Sequence, residues 1–371
     1  MDVLSDVITV MRAGQPRSAL VTWHAPWAQQ FASVPGSAGF QIVLQGPCWL
    51  VAPDTGPVPL AAGDVVFRPH GRGHTLADSP STPPDAPACE PSDEPLQPYA
   101  DDVVGTPADT DAATTVTLCG AYQLDPTHAH LLLDDLPELI HLPAHLGRHP
   151  ELRATVDLLA TELKRPRLGT DAIIPALLDT LLLHILRTWL DQHPAPETVR
   201  PGWAVALNDP ATAAALHAIH RDPARPWTVA TLAAEAKLSR APFARRFTAL
   251  LGQPPLTYLT WWRMTIAARL LRQSDRPLSA IASRVGYTSE FAFSTAFKRR
   301  YGTAPGRYRR DGQHSHRQAA DIKRGQAGAH VGRSGQPAPT ETRRARESGR
   351  PARMAARISA PSTTLGPGRL K

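Results

Sequence analysis

The stretch SRVGYTSEFAFSTAFKRRYGTAPGRYRR, Ser283–Arg310, decides the fold. Phe293 and Phe297 stand four apart, a spacing that puts both rings on one helix face. The cations Lys298, Arg299, Arg300, Arg307, Arg309 and Arg310 crowd the end of the stretch. A helix with two rings on one side and a charged end needs a partner for each. The same pattern stands earlier in the chain, which separates the two roles.

Leu232, Ala233, Ala236 and Leu238 match Ile281, Ala282, Val285 and Tyr287 at an offset of 49 residues. Ser239, Phe243, Phe247, Gly252, Pro255 and Tyr258 match Ser289, Phe293, Phe297, Gly302, Pro305 and Tyr308 at an offset of 50. Internal self-similarity of this kind marks a duplicated structural unit. Each copy reads as a helix-turn-helix. A short helix rich in small residues is followed by a turn, with Lys237 in one copy and Gly286 in the other. Glycine suits such a turn because positive φ costs it little. Ser239 and Ser289 occupy N-cap positions of the second helices. The phenylalanine pairs read as the core of each unit rather than as platforms for bases.

The opposite face of each second helix then points outward. In the first copy it carries Ala241, Ala244, Arg245 and Thr248, with Arg240 and Arg246 at its edges. In the second it carries Glu290, Phe291, Ser294, Thr295 and Lys298, with Arg299 nearby. Small residues permit close approach to a major groove, and a few long or polar ones reach base edges. Arg245 is placed to bond a guanine bidentately. Lys298, Arg299, Arg300, Arg307, Arg309 and Arg310 read as phosphate contacts, which add affinity without sequence information. Between the copies, residues 256–277 read as one long helix, with Leu256, Leu259, Trp262, Ile266, Leu270 and Leu271 as its buried stripe.

The charge distribution agrees. The 371-residue chain carries a net +7. Residues 1–220 hold 11 Lys/Arg against 25 Asp/Glu, and residues 221–310 hold 17 against 4. Residues 311–371 hold 12 against 4. An acidic front and a basic back imply that only the back meets a polyanion.

Upstream the pattern is different. FQIVLQGPCWLVA, GDVVFRPHG and TTVTLCGAYQL read as strands bounded by Gly and Pro. Residues 79–114, rich in Pro and Asp, read as a disordered loop. From Glu151 the period becomes helical, and DAIIPALLDTLLLHILRTWLDQH is apolar over more than one face. Such a helix needs cover from two sides, either a monomer core or a partner chain. No apolar run approaches the roughly 18 residues of a membrane span. The start lacks a basic-then-apolar leader, so the expected location is cytoplasmic. Cys48, Cys89 and Cys119 fit neither a disulfide framework nor a zinc knuckle.

Residues 221–310 resemble the DNA-binding domain of AraC/XylS-type transcriptional regulators. LSRAPFARRF, GQPPLTYL, WRMTIAARLL, IASRVGYTSEFAFSTAFKR and YGTAPGRYRR carry the likeness. The resemblance implies two helix-turn-helix units on adjacent major-groove segments. Carried over position by position, it implies that Ala241, Ala244 and Arg245, then Glu290, Phe291, Ser294 and Thr295, face bases. Many members have arginine where this chain has Thr295.

Residues 1–145 resemble the cupin-type sensor domain of one branch of that family, through FQIVLQGPCWL, VPLAAGDVVFRPHGRGHTL, CGAYQL and LLLDDLPELIHLP. Gly63, Pro69, Gly71 and His74 fit a cupin motif. Metallo-cupins need an earlier His-x-His, and only His24 precedes Gly63, so no metal, cofactor or catalytic residue is expected. His128-x-His130 lies after the motif. Trp23, Phe40, Ile42, Trp49 and His74 are the candidate ligand-binding residues.

The expected fold is therefore multidomain. A cupin-like β-barrel (1–145, with the loop 79–114) leads into a helical linker and dimerisation region (146–208). A double helix-turn-helix domain (209–310) and a disordered basic tail (311–371) follow. The expected partners are duplex DNA, a small-molecule effector, a second copy and RNA polymerase, with no membrane. The competing reading is a cupin metalloenzyme with a basic accessory domain.

Overall fold

The computed structural model describes residues 2–11, 16–53, 55–84, 87–89, 99–104, 114–124, 131–144, 149–192 and 202–311. His128, His130 and the tail beyond Asp311 lie outside these residues. The chain divides into two compact units. One joins Met1–Val10 to the chain from Ala195 on, and the other begins at Met11 and runs to Pro194.

The unit beginning at Met11 is built on two sheets. Six strands run in the order β10-β6-β3-β9-β1-β8 and four in the order β2-β7-β4-β5. In the larger sheet these are β1 Arg17–His24, β3 Ser37–Gln45, β6 Val65–Arg68, β8 Tyr99–Val104, β9 Thr114–Gln123 and β10 Ile140–Leu142. In the smaller they are β2 Ala28–Phe31, β4 Cys48–Ala52, β5 Gly56–Leu60 and β7 His74–Ala77. The stretch read as FQIVLQGPCWLVA is thus two strands, broken at Gly46, whose φ is 71°. A Cβ there would also stand 2.6 Å from the Thr114 carbonyl.

Residues 79–114 are not wholly a loop. Tyr99–Val104 forms β8, parallel to β1 with Ser18 opposite Tyr99. Polar composition does not prevent a strand when a neighbouring edge offers unpaired backbone groups to satisfy. Cys89 likewise bridges Phe31.

Alternation along the strands divides the residues between two faces. Val21, Trp23, Val43, Cys48, Leu50 and Cys119 share one buried cluster with residues of both sheets. Phe40 faces the other way and meets Tyr122 at 5.5 Å between ring centres. The Tyr122 hydroxyl donates to the Leu178 carbonyl at 2.7 Å, so helices cover that face. These are α3 Pro150–Lys164 and α4 Thr170–Gln192. By length and composition α4 is apolar enough to cross a membrane, contrary to the sequence expectation. Its Ile174, Leu178, Leu181, Leu182, Ile185 and Leu186 are buried in this unit, which accounts for that hydrophobicity. Leu158, Leu168 and Ile173 remain exposed on the α3–α4 hairpin. The short α2, Leu131–Asp134, precedes β10.

The second unit is helical. α1 Val3–Met11 belongs to it, although the sequence reading assigns residues 1–145 to the sensor. Val3 and Val7, four apart, are buried, and Asp6 meets His220 at 3.3 Å. His220 is itself buried, bonded to the Tyr258 hydroxyl at 2.6 Å and stacked 4.1 Å from Trp262. α5 Trp203–Asn208 and α6 Pro210–Arg221 follow. Asp209 caps α6, accepting from the Thr212 amide at 2.9 Å and its hydroxyl at 2.7 Å.

Candidate nucleic-acid interface

The repeat in the sequence is a repeat in space. α7 Val229–Glu235 and α8 Arg240–Leu251 form the first helix-turn-helix; α10 Leu278–Arg284 and α11 Glu290–Tyr301 form the second. The turn residues match: Lys237 has φ 53° and Gly286 has φ 81°. So do the ends, where Gly252 and Gly302 terminate α8 and α11 at φ 71° and 72°. A left-handed residue lets the chain leave a helix while satisfying its last carbonyls. The four phenylalanines are buried, with ring centres 5.7 Å apart in one pair and 5.8 Å in the other. They hold each second helix to its own core.

The caps are less symmetrical than their sequence suggests. Ser289 accepts from the Ala292 amide at 3.4 Å, whereas Ser239 makes no side-chain cap. The reciprocal cap lies earlier, on α7. Thr228 accepts from the Thr231 amide at 3.1 Å, and the Thr231 hydroxyl accepts from the Thr228 amide at 2.9 Å.

Between the units, α9 spans Pro255–Gln273. Its stripe is wider than expected. Tyr258, Leu259, Trp261, Trp262, Met264 and Leu271 are buried, but Leu256 is exposed and Ile266 and Leu270 are half-buried. Packing against helices on two sides widens the face that must be apolar. Arg263 does what no apolar pattern reveals. Its Nε donates to the Pro223 carbonyl at 2.7 Å and its Nη2 to the Arg225 carbonyl at 2.8 Å. A Cβ at Gly286 would stand 2.7 Å from that Nη2 and 2.6 Å from the Ala224 carbonyl. One guanidinium thus fixes the entry to the first helix-turn-helix beside the turn of the second.

On α8, Arg240, Ala241 and Arg245 are exposed and Ala244 is half-buried. Beside Arg245 lies an open groove of about 690 Å³ lined by Val229, Ala244, Thr248, Pro255 and Leu256. Arg246 is placed otherwise than the sequence reading implies. Its Nε lies 3.0 and 2.9 Å from the two Asp209 carboxylate oxygens, and its Nη2 bonds the same group. Asp209 is buried, which by itself raises a carboxyl pKa. Hydrogen bonds from Arg246 and Thr212 outweigh burial and hold it below the usual range. On α11, Glu290, Phe291, Thr295, Lys298 and Arg299 are exposed and Ser294 is half-buried. Arg309 donates to the Arg276 carbonyl at 2.6 Å, and Arg307 faces Asp311 at 3.8 Å.

The five candidate ligand residues do not share one face. Trp23 lies inside the sheets, stacked 4.4 Å from Trp27, with its Nε1 donating to Thr117 at 2.7 Å. His74 is also inside, 2.8 Å from Gln41 Nε2 and stacked on Phe31. Burial first, then the nearby Arg68, pushes the His74 pKa down to about 3, so the ring is neutral. Phe40 and Ile42 lie on the helix-covered face. Trp49 alternates with Cys48 and Leu50, which puts it on the face away from the shared cluster. Burial pushes the Cys48 and Cys119 thiols up to about 12, which leaves them unreactive.

Two family models match the chain: a cupin over residues 2–191 and a helix-turn-helix domain over residues 232–311. A putative AraC-like transcription regulator of Streptomyces antibioticus is 38% identical over 313 residues, covering 84% of this chain and 99% of its own. The regulator AlkR of Acinetobacter baylyi is 30% identical over 312 residues, covering 83% and 99%. The DNA-binding domain of AdpA, solved with a target DNA, is 37% identical, covering 28% of this chain and 92% of its own at a TM-score of 0.27. The fold and the relatives define a DNA-binding transcription regulator. The chain belongs to the AraC-like transcription regulators and carries an N-terminal cupin domain.

Proposed function

We propose that this regulator reads two adjacent major-groove segments, with α8 and α11 as recognition helices, in response to a small molecule bound by the cupin domain. The observation that carries this reading is the duplicated unit. Two outward helix faces of small, polar and cationic residues are held at a set separation by α9. At about 1.5 Å per residue, its 19 residues span about 28 Å. That is close to the roughly 34 Å between successive major-groove faces on one side of a duplex.

Arg240, Ala241, Ala244 and Arg245 serve the first segment, with Arg245 as its guanine reader. Glu290, Phe291, Ser294 and Thr295 serve the second. Lys298 and Arg299 hold phosphates. Trp23 and His74, both inside the sheets, are the sensor residues this reading retains. A second copy docks on the α3–α4 hairpin, where Leu158, Leu168 and Ile173 present apolar surface. Such a regulator works in the cytoplasm and catalyses no reaction.

Footprinting on DNA flanking its gene tests the reading. Protection of two adjacent segments at about 0.15 M salt is expected. Protection no stronger than on random DNA refutes it. A screen for compounds that raise the melting temperature of the full chain identifies the effector.

A further inference from the structure

The chain has eight phenylalanines. Seven are buried, and Phe291 is 83% exposed. A lone exposed ring in the first turn of a helix loses solvation free energy to no packing advantage in the free protein. Its surroundings narrow what it can meet. Thr295, one turn on, donates its hydroxyl back to the Phe291 carbonyl at 2.9 Å. What Thr295 offers outward is therefore a methyl group and acceptor lone pairs. Glu290 precedes the ring and is exposed, while Lys298, Arg299 and Arg300 lie exposed in the last turn. Charge thus runs from negative to positive along α11. On a duplex, the cationic end is drawn to phosphates and the carboxylate end is driven from them. The first turn belongs over base edges, and the one apolar feature of those edges in the major groove is the C5-methyl of thymine.

We propose that Phe291, backed by Thr295, determines specificity by packing against a thymine methyl in the segment read by α11. The two recognition helices then speak different chemistry: a guanidinium for guanine from α8 and an apolar ridge for thymine from α11. This inference rests on the DNA-contact reading above.

The test uses the full chain and an operator selected from random duplexes. Each thymine is replaced singly by deoxyuridine, which removes only the methyl, and affinity is read by fluorescence anisotropy at fixed salt. One thymine, or two neighbours, should give about fourfold weaker binding, the loss expected for one buried methyl group. Phe291→Ala should weaken binding to the thymine operator and bind the deoxyuridine duplex equally well. Phe291→Leu should restore part of the preference. The proposal is overturned if no replacement alters affinity, or if Phe291→Ala keeps the thymine preference. It is also overturned if Phe291→Ala binds the operator as wild type does yet fails to regulate transcription. Phe291 would then dock a protein. Failure to select any operator refutes the DNA-contact reading itself, whereas specific binding without methyl dependence refutes this inference alone.

Discussion

Arg245 and Arg246 are neighbours on α8, and their substitutions should have opposite consequences. Arg246→Ala removes the fork on Asp209. Two hydrogen bonds between charged groups are worth about 1.5–3 kcal/mol each when desolvated. Here the guanidinium side chain is 56% exposed and only the carboxylate, at 6%, is buried. Solvent screening therefore reduces the pair well below that sum. Asp209 also keeps its two bonds from Thr212, so it is not orphaned. The expected loss is about 1–2 kcal/mol. Asp209→Ala additionally removes the α6 cap, about 1 kcal/mol more. The double substitution should lose less than the two singles together, because they share one interaction.

Urea unfolding followed by circular dichroism reads these losses, and binding to operator and random duplexes reads the other arm. Arg246→Ala should shift the unfolding midpoint and leave the ratio of the two affinities near that of the wild type. The pair also has a pH sign. Asp209 has a folded pKa below its unfolded value, so its stabilisation is complete above about 4 and lost as pH falls through the folded pKa. An Arg246→Ala protein with an unchanged midpoint and weakened specific binding would refute the assignment and return Arg246 to the DNA-contacting set.

Arg245→Ala should leave stability unchanged and lower discrimination between operator and random duplexes about tenfold, the scale of one bidentate base contact; equal losses on both would mark a phosphate contact. Lys237→Gly should raise stability by about 1 kcal/mol in the same urea assay, because φ 53° strains a lysine and not a glycine. Gly286→Ala should cost about 3 kcal/mol, since its Cβ displaces the Arg263 guanidinium as well as straining φ; a wild-type midpoint would refute the clamp. His220 has its pKa lowered by burial, with Asp6 opposing. The unfolded chain therefore takes up that proton first. Its contribution is intact above about pH 6.5 and falls as pH drops below it, and His220→Phe should flatten that decline in thermal melts.

The helix-turn-helix repeat was readable because each of its demands falls on a residue type. Left-handed turns call for Gly286, Gly252 and Gly302, and helix-core rings fall at Phe243, Phe247, Phe293 and Phe297. Lys237 shows the limit: its φ is set by the repeat, not by its own identity. Interactions that join distant segments leave no periodic trace. Arg263 on the Pro223 and Arg225 carbonyls, and Arg246 on Asp209, look like any surface arginine in one dimension. The β8 strand was hidden because backbone pairing with β1, not composition, makes it. In the cupin domain, alternation from Phe40 to Gln41 sends neighbours to opposite faces, so a set chosen as an apolar pocket lining mixed the space between the sheets with the helix-covered face.

The docking of α1 through Asp6 and His220 changes the meaning of domain order. The sheet-containing unit is inserted into the chain of the helical one, entering after Val10 and returning before Ala195, although the cupin match itself begins at residue 2. Two covalent connections therefore join the two units. A single cut between residues 193 and 201 would leave the halves linked through α1. A DNA-binding fragment begun at Asp209 would lack Val3, Val7 and the Asp6 partner of His220. It would expose the surface they cover, and its behaviour would not be that of the same unit in the whole protein.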